Sequence, residues 1–372
     1  MRRLSPVFAR CSCTFAATLG HGAVAGRWKA VAFEGGGYNA PPMDRFVTDH
    51  LGGVSRTYAV LIPMLPRGLD EAVGLAYLLM RVVDTIEDAP QLSDDERLAC
   101  FAALRAILPG AAPLNARAES ADGGPDRGTA AALLRDVAER DLGDLTAEHA
   151  LMRELPRLLE RLGLLEPFYR EAAAKCAVQM MDGVTSILHR SRERGLAYPG
   201  NRDAAELREY CHYVAGVVGE MLCDMMAHHL RSDALGKLRG VAVELGIGLQ
   251  LVNILKDSLR DADGGRRYLP IASGRVSSGE LYKLVLEEAR ASLKRGTEFV
   301  LALPAAAWEL RSFCGLPIAW GAMTLARAER DAGAAKIGRG AVQASIDLFK
   351  RLVRDDHALR GWLMSMLRPT PA

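Results

Sequence analysis

The residues best suited to chemistry fall in two acidic clusters far apart in the chain. The first reads Arg81-Val82-Val83-Asp84-Thr85-Ile86-Glu87-Asp88. On a helix, Asp84 and Asp88 are four residues apart and project from one face, with Arg81 three before Asp84 and Tyr77 seven before it. Two neighbouring carboxylates repel each other and need a cation between them. Oxygen-only ligands at this spacing suit Mg²⁺ bridging to a diphosphate. An exposed acidic helix end carries the same DxxxD pattern, and for this cluster alone that ordinary explanation is the stronger.

The second cluster is Gln250, Asn253, Asp257 and Asp261, spaced three, four and four. These side chains share one stripe of a helical pattern that is otherwise strongly apolar (Leu249, Leu251, Val252, Ile254, Leu255). Such a stripe belongs to a surface or to an interior site, and Gln and Asn in place of Lys and Glu favour the interior. Two facing helices, each with a carboxylate pair, could hold several Mg²⁺ ions. Ionisation of an allylic diphosphate needs that clamp, since charge accumulates on the leaving group as the C–O bond breaks. Basic residues accompany both clusters: Ser55-Arg56 ahead of the first helices, Arg81 in the first cluster, Lys256 in the second, and Arg266 and Arg267 just beyond. Any one arginine reads as a surface residue; together they supply the counter-charge a diphosphate requires.

A third block runs Tyr210-Cys211-His212-Tyr213-Val214-Ala215-Gly216-Val217-Val218-Gly219. Glycine inside a helix costs about 1 kcal/mol relative to alanine, so paired glycines need a reason. Close helix packing is one reason and room for a long hydrocarbon chain is another. Tyr210 could give or take a proton. Without context Tyr210, His212, His228 and His229 read as core, because no metal-ligand set gathers round them.

The elements that carry these residues are helices. From about Asp44 onward, apolar residues recur at three- and four-residue spacing and strand-like alternation is nearly absent. A helix is expected over 69–87, opened by Pro66-Arg67-Gly68 and stopped by Pro90, which cannot continue it. Residues 108–130 form the clearest loop. Helical patterns then run with short breaks to Leu196, where Tyr198-Pro199-Gly200-Asn201 punctuates. Long helices are expected over 204–230 and 235–260, and three further stretches fill the chain to Leu367. No internal repeat and no linker divides the chain, so one all-α domain over 44–367 is expected.

Composition narrows the function. The 372 residues are 49% hydrophobic and 25% charged with a net charge of +2, ample for a core and unlike a nucleic-acid binder. Seven scattered cysteines lack zinc-ligand spacing and, being odd in number, argue against a disulfide framework and for a reducing compartment. No apolar run is long enough to span a bilayer, which implies a cytoplasmic protein with at most peripheral membrane contact. The apolar stretch 361–367 reads as a packed last helix. Residues 1–43, Arg- and Ala-rich with no acid before Glu34, are set apart as a disordered leader; a transit peptide or a misassigned start fits the same pattern.

Four blocks together resemble the squalene/phytoene synthase family. They are Ser55-Arg56-Thr57-Tyr58-Ala59, YLLMRVVDTIED from Tyr77, YCHYVAGVVG from Tyr210, and GLQLVNILKD from Gly248 followed by GGRRYLP from Gly264. The resemblance implies a class I terpenoid synthase fold, helical throughout, with the two acid motifs facing across a central cavity. It implies Mg²⁺ held by Asp84 and Asp88 from one wall and by Asp257, Asp261 and Asn253 from the other. Ser55, Arg56, Tyr77, Arg81, Gln250, Lys256 and Arg266 would contact diphosphate or the prenyl chains near it. Tyr210 matches the family's proton-removing tyrosine, and Tyr77 joins it as a catalytic candidate. The implied reaction joins two molecules of farnesyl diphosphate head to head through presqualene diphosphate to squalene, with NADPH as reductant. The alternatives are phytoene, dehydrosqualene or presqualene diphosphate as product, geranylgeranyl diphosphate as substrate, or a terpene cyclase or non-catalytic relative. The YCHYVAG block leans toward the squalene side. Departures from the family pattern are Arg260 where Glu is frequent, Lys256 where Arg is frequent, Glu220 at a commonly apolar position, and Asp224 one turn further on.

Overall fold

The computed structural model describes residues 43–55, 57–110, 125–140, 146–263, 268–269, 278–330 and 337–369; the side chains of residues 259–263 and of Ser278 are not described. Arg56, Arg266 and the segment 1–42 lie outside the described residues, as does the side chain of Asp261. The described chain is helical, with no strand among its residues.

Local chemistry sets the helix limits. Asp44 caps α1 (Arg45–Val54), its carboxylate accepting the Phe46 N–H at 2.7 Å. After the one-turn α2 (Tyr58–Leu61) comes α3 (Leu69–Asp88), which ends two residues before Pro90 as expected. α4 (Asp94–Ile107) opens on a capping box between Ser93 and Glu96. The loop expected over 108–130 closes early, because Asp126 caps α5 (Arg127–Glu139); residues 111–124 lie outside the described set. α6 (Thr146–Arg153), α7 (Leu155–Leu164) and α8 (Pro167–Glu193) follow, the last two with Pro in the first turn, where its missing N–H costs nothing.

The helix expected over 204–230 is present but changes winding. α9 (Ala204–Cys211) passes through a π stretch (His212–Gly216) into α10 (Val217–Leu230), which ends at Arg231 in the left-handed region (φ 50°). A short α11 (Asp233–Gly236) leads to α12 (Arg239–Asp263), which carries the second acidic cluster. Beyond it stand four helices where three are expected: α13 (Ser278–Ala302), α14 (Trp308–Ala328), α15 (Arg339–Leu352) and α16 (Asp356–Met366). The extra break comes from Asp355, whose carboxylate accepts the Ala358 N–H at 2.9 Å and starts a new helix. α16 buries Leu359 and Leu363 and packs on α13 and α14, as expected of a last helix.

Glycines let α10 and α12 meet backbone to backbone. A Cβ on Gly219 would lie 2.2 Å from the Ala242 carbonyl oxygen, and one on Gly246 equally close to that of Ala215. The two helices therefore run antiparallel in close contact, with α13 and α14 behind α12. α3 is buried along nearly its whole length, including its acidic end.

Candidate active site

The polar residues of both clusters are interior. Asp84, Glu87 and Asp88 are 2%, 3% and 6% exposed, and Gln250, Asn253 and Asp257 are 2%, 6% and 8% exposed. A solvated helix end is thereby ruled out for the first cluster. Burying carboxylates at this depth is costly unless they are paired, hydrogen-bonded or bound to metal, so the arrangement has a use.

One cavity connects the two helices. Tyr77, Met80, Arg81 and Asp84 of α3 line it from one side, and Leu245, Gly246, Leu249, Gln250 and Asn253 of α12 from the other. Its empty volume, mouth included, is about 1010 Å³. Away from the polar end the wall is apolar: Ile62, Val73, Met221, Leu222, Phe299, Phe313 and Pro317. Gly219, Gly246 and Ala215 also line it, so the small residues serve both close packing and space. Cys314 is a wall residue whose thiol burial pushes above its ordinary range, so it stays protonated and behaves as a small hydrophobe.

Ion pairs and tyrosines fix the acidic end. Arg81 Nη1 lies 3.7 Å from Asp84 Oδ2, and its Nη2 donates to the Val54 carbonyl at 2.9 Å, tying α3 to the end of α1. Lys256 Nζ is 3.1 Å from Asp257 Oδ2. Tyr198 and Tyr210 both donate to Glu87 Oε1, at 2.7 and 3.0 Å, and the Tyr268 hydroxyl is 3.5 Å from Asp88 Oδ1. Asn253 Nδ2 donates to Gln250 Oε1 at 3.4 Å, while Asn253 Oδ1 is buried with no hydrogen-bond partner among the described residues.

Not every candidate reaches the cavity. Tyr77, Arg81, Asp84, Gln250 and Asn253 line it; Asp88, Asp257 and Lys256 stand about one turn beyond, at its polar end. Tyr210 is core, 1% exposed, and its hydroxyl donates to Glu87 at the acidic end. Ser55, the C-terminal cap of α1, accepts the Tyr58 N–H at 3.0 Å and so bridges α1 to α2. His212, His228 and His229 are half-buried, not core, because the helix turns each toward an edge. Glu220 and Asp224 face away from the cavity, paired with Lys175 and Arg239. Glu87 was legible in the sequence, lying three residues after Asp84 on the same helix face, and Tyr268 lies in the GGRRYLP block; Tyr198 carried no such signal.

Asp84, Asp88, Asn253 and Asp257 offer only oxygen donors, and one of them, Asn253 Oδ1, is orphaned. That set fits a hard divalent cation such as Mg²⁺. Among the described residues no three His, Cys, Asp or Glu side chains converge into a closed metal cage. Oxygens of a bound diphosphate would have to complete the coordination, as is usual for Mg²⁺.

The model of the family described as squalene/phytoene synthase matches residues 51–345. The chain belongs to that family. Squalene synthase of Schizosaccharomyces pombe is 28% identical over 368 residues, covering 89% of this chain and 72% of that protein. Ganoderma lucidum squalene synthase is 28% identical over 63% of this chain, and the human enzyme 25% identical over 59%. Those two matches span less than half of the relatives' own lengths, 44% and 45%. A solved structure described as TcSQS in complex with the ligand E5700 superposes with a TM-score of 0.62 at 20% identity, covering 87% of this chain and 95% of that one. Family members are prenyltransferases of isoprenoid biosynthesis, and the chain shares their helical fold. No described helix is long and apolar enough to cross a membrane.

Proposed function

We propose that this protein condenses two molecules of farnesyl diphosphate head to head through presqualene diphosphate to squalene, with Mg²⁺ and NADPH. The observation that carries this reading is the pairing of two buried acidic clusters at one end of a single apolar cavity. Mg²⁺, held by Asp84 and Asp88 on one wall and Asn253, Asp257 and Asp261 on the other, would supply the charge that makes diphosphate a leaving group. Arg81 and Lys256, with Arg56 and Arg266, add fixed counter-charge. Gln250 and Tyr77 orient the substrates at the polar end. The apolar wall excludes water, which would trap an allylic cation as an alcohol.

In the first half-reaction the C–O bond of one farnesyl diphosphate breaks, and the C2–C3 double bond of the other attacks the freed C1. Loss of a proton then closes the cyclopropane. Tyr210 is assigned to that proton: its oxygen accepts it as its own hydroxyl proton passes to Glu87, 3.0 Å away. Reduction to squalene takes hydride from NADPH, a co-substrate to which no described residue is assigned.

The cavity has room for a C15 chain. Lining residues run from Val73 to Asp84 and from Ala242 to Asn253, eleven residue steps along each wall, or about 16 Å of helix at 1.5 Å per residue. An extended farnesyl main chain spans about 13 Å and a geranylgeranyl chain about 18 Å, at roughly 1.2 Å per bond. Product analysis by gas chromatography–mass spectrometry tests the reading. Squalene is expected from farnesyl diphosphate with Mg²⁺ and NADPH, and not from geranylgeranyl diphosphate. Dehydrosqualene or presqualene diphosphate regardless of NADPH would move the function to a synthase without reduction. Absence of any C30 or C40 product would overturn the proposal.

A further inference from the structure

The turn Tyr198-Pro199-Gly200-Asn201 between α8 and α9 reads in sequence as mere punctuation, yet it is built against the acidic end of the cavity. Tyr198 donates to Glu87 Oε1 at 2.7 Å, the same oxygen that accepts from Tyr210 at 3.0 Å. Three residues on, Asn201 is 1% exposed and donates Nδ2 to the Tyr268 carbonyl at 2.9 Å. The Tyr268 ring leans on Tyr210, with centroids 5.3 Å apart, and its hydroxyl faces Asp88. One turn thus braces Tyr210 from two sides, through its hydrogen-bond acceptor and through its ring neighbour.

The turn is itself held rigidly. Ser191 Oγ lies 2.9 Å from the Pro199 carbonyl oxygen. Gly200 sits at φ +58°, where a Cβ would also meet Ser191 Oγ at 3.0 Å, so side-chain-bearing residues fit poorly there. Two hydroxyls on one carboxylate oxygen restrict the rotation of the Glu87 side chain. With only one of them, the carboxylate and the Tyr210 hydroxyl that follows it gain freedom. Misplacement of about 1 Å at a reacting group can cost about a hundredfold in rate.

We propose that Tyr198 and Asn201 are positioning residues, which hold Glu87 and Tyr268 so that the Tyr210 hydroxyl is aimed for proton removal. The inference rests on the proposed head-to-head condensation and adds two residues outside the family's motif blocks. In it the proton leaves C1 of the ionised farnesyl unit, the carbon that lost diphosphate, for the Tyr210 oxygen, and the C–H electron pair closes the cyclopropane onto C3 of the other unit.

The test compares wild type, Tyr198→Phe, Asn201→Ala, Tyr210→Phe and the double variant Tyr198→Phe/Tyr210→Phe. Inorganic diphosphate released and C30 product formed are measured together on protein whose circular dichroism matches wild type. Tyr198→Phe is expected to lower kcat for C30 product by about tenfold or more with KM little changed, within the range that general acid–base steps contribute. Ionisation does not depend on Tyr198, so diphosphate released per C30 product should rise. Tyr198→Phe should add nothing further in the Tyr210→Phe background, because both act on one step. Asn201→Ala should show a smaller change of the same kind, and it decides the matter if Tyr198→Phe does not fold. Unchanged coupling of diphosphate release to product in both turn variants, or losses that multiply in the double variant, would overturn the inference while leaving the function standing. A wild-type protein that forms no C30 product would remove both.

Discussion

At the scale of single residues, the site depends on carboxylates kept where water does not reach them. Asp84 and Asp257 are both nearly buried and lie on different helices, so neither can substitute for the other. Asp84→Asn and Asp257→Asn are each expected to lower turnover by about a hundredfold or more, the usual cost of losing one preorganised charge-stabilising group. Circular dichroism should stay as in wild type, since asparagine keeps the volume. Chelation of divalent cations should abolish product formation, and added Mg²⁺ should restore it. Wild-type turnover in either variant would sink the two-wall arrangement. Asp84 and Asp88 could be picked out from spacing alone. That they were interior could not, because an i, i+4 acid pair looks the same on a wet helix end; the match between two distant clusters supplied the stronger hint.

At the scale of elements, the π stretch and the glycine contacts decide how α9, α10 and α12 meet. Gly219 touches the Ala242 backbone, which has no rotamer with which to yield. By helix propensity alone, Gly219→Ala would stabilise α10 by about 1 kcal/mol. The contact predicts the opposite: a loss of about 1–3 kcal/mol from overpacking, read from urea denaturation. A gain in stability would show that the backbones do not meet this closely. Both reasons offered by the sequence for these glycines hold, close packing and cavity space, since the same residues do both. The extra break between α15 and α16 was harder to read. Its Asp355 cap lies in a charged run, Arg354-Asp355-Asp356, with neither Gly nor Pro to mark it.

At the scale of the whole molecule, the last two helices must be tied to the bundle that forms the cavity wall. Arg311 of α14, 1% exposed, makes that tie. It donates to the Leu303 carbonyl from Nε at 2.9 Å, to the Val353 carbonyl from Nη1 at 3.0 Å, and pairs with Asp356 at 2.6 Å. Arg311→Leu leaves those carbonyls dry and unsatisfied, and about 3 kcal/mol of stability should be lost by thermal or chemical denaturation. A change below about 1 kcal/mol would mean that the tie is dispensable. The sequence by itself determined the helical class, most helix limits and the two acidic helices, because helical periodicity, Pro and Asp caps, and i, i+4 spacing act over a few residues. Only the tertiary structure decided that one cavity joins α3 to α12, that the Tyr210 hydroxyl donates to Glu87, and that Glu220 and Asp224 point away. Tyr198 and Glu87 are 111 residues apart, and which hydroxyl reaches which carboxylate is set by the packing of whole helices.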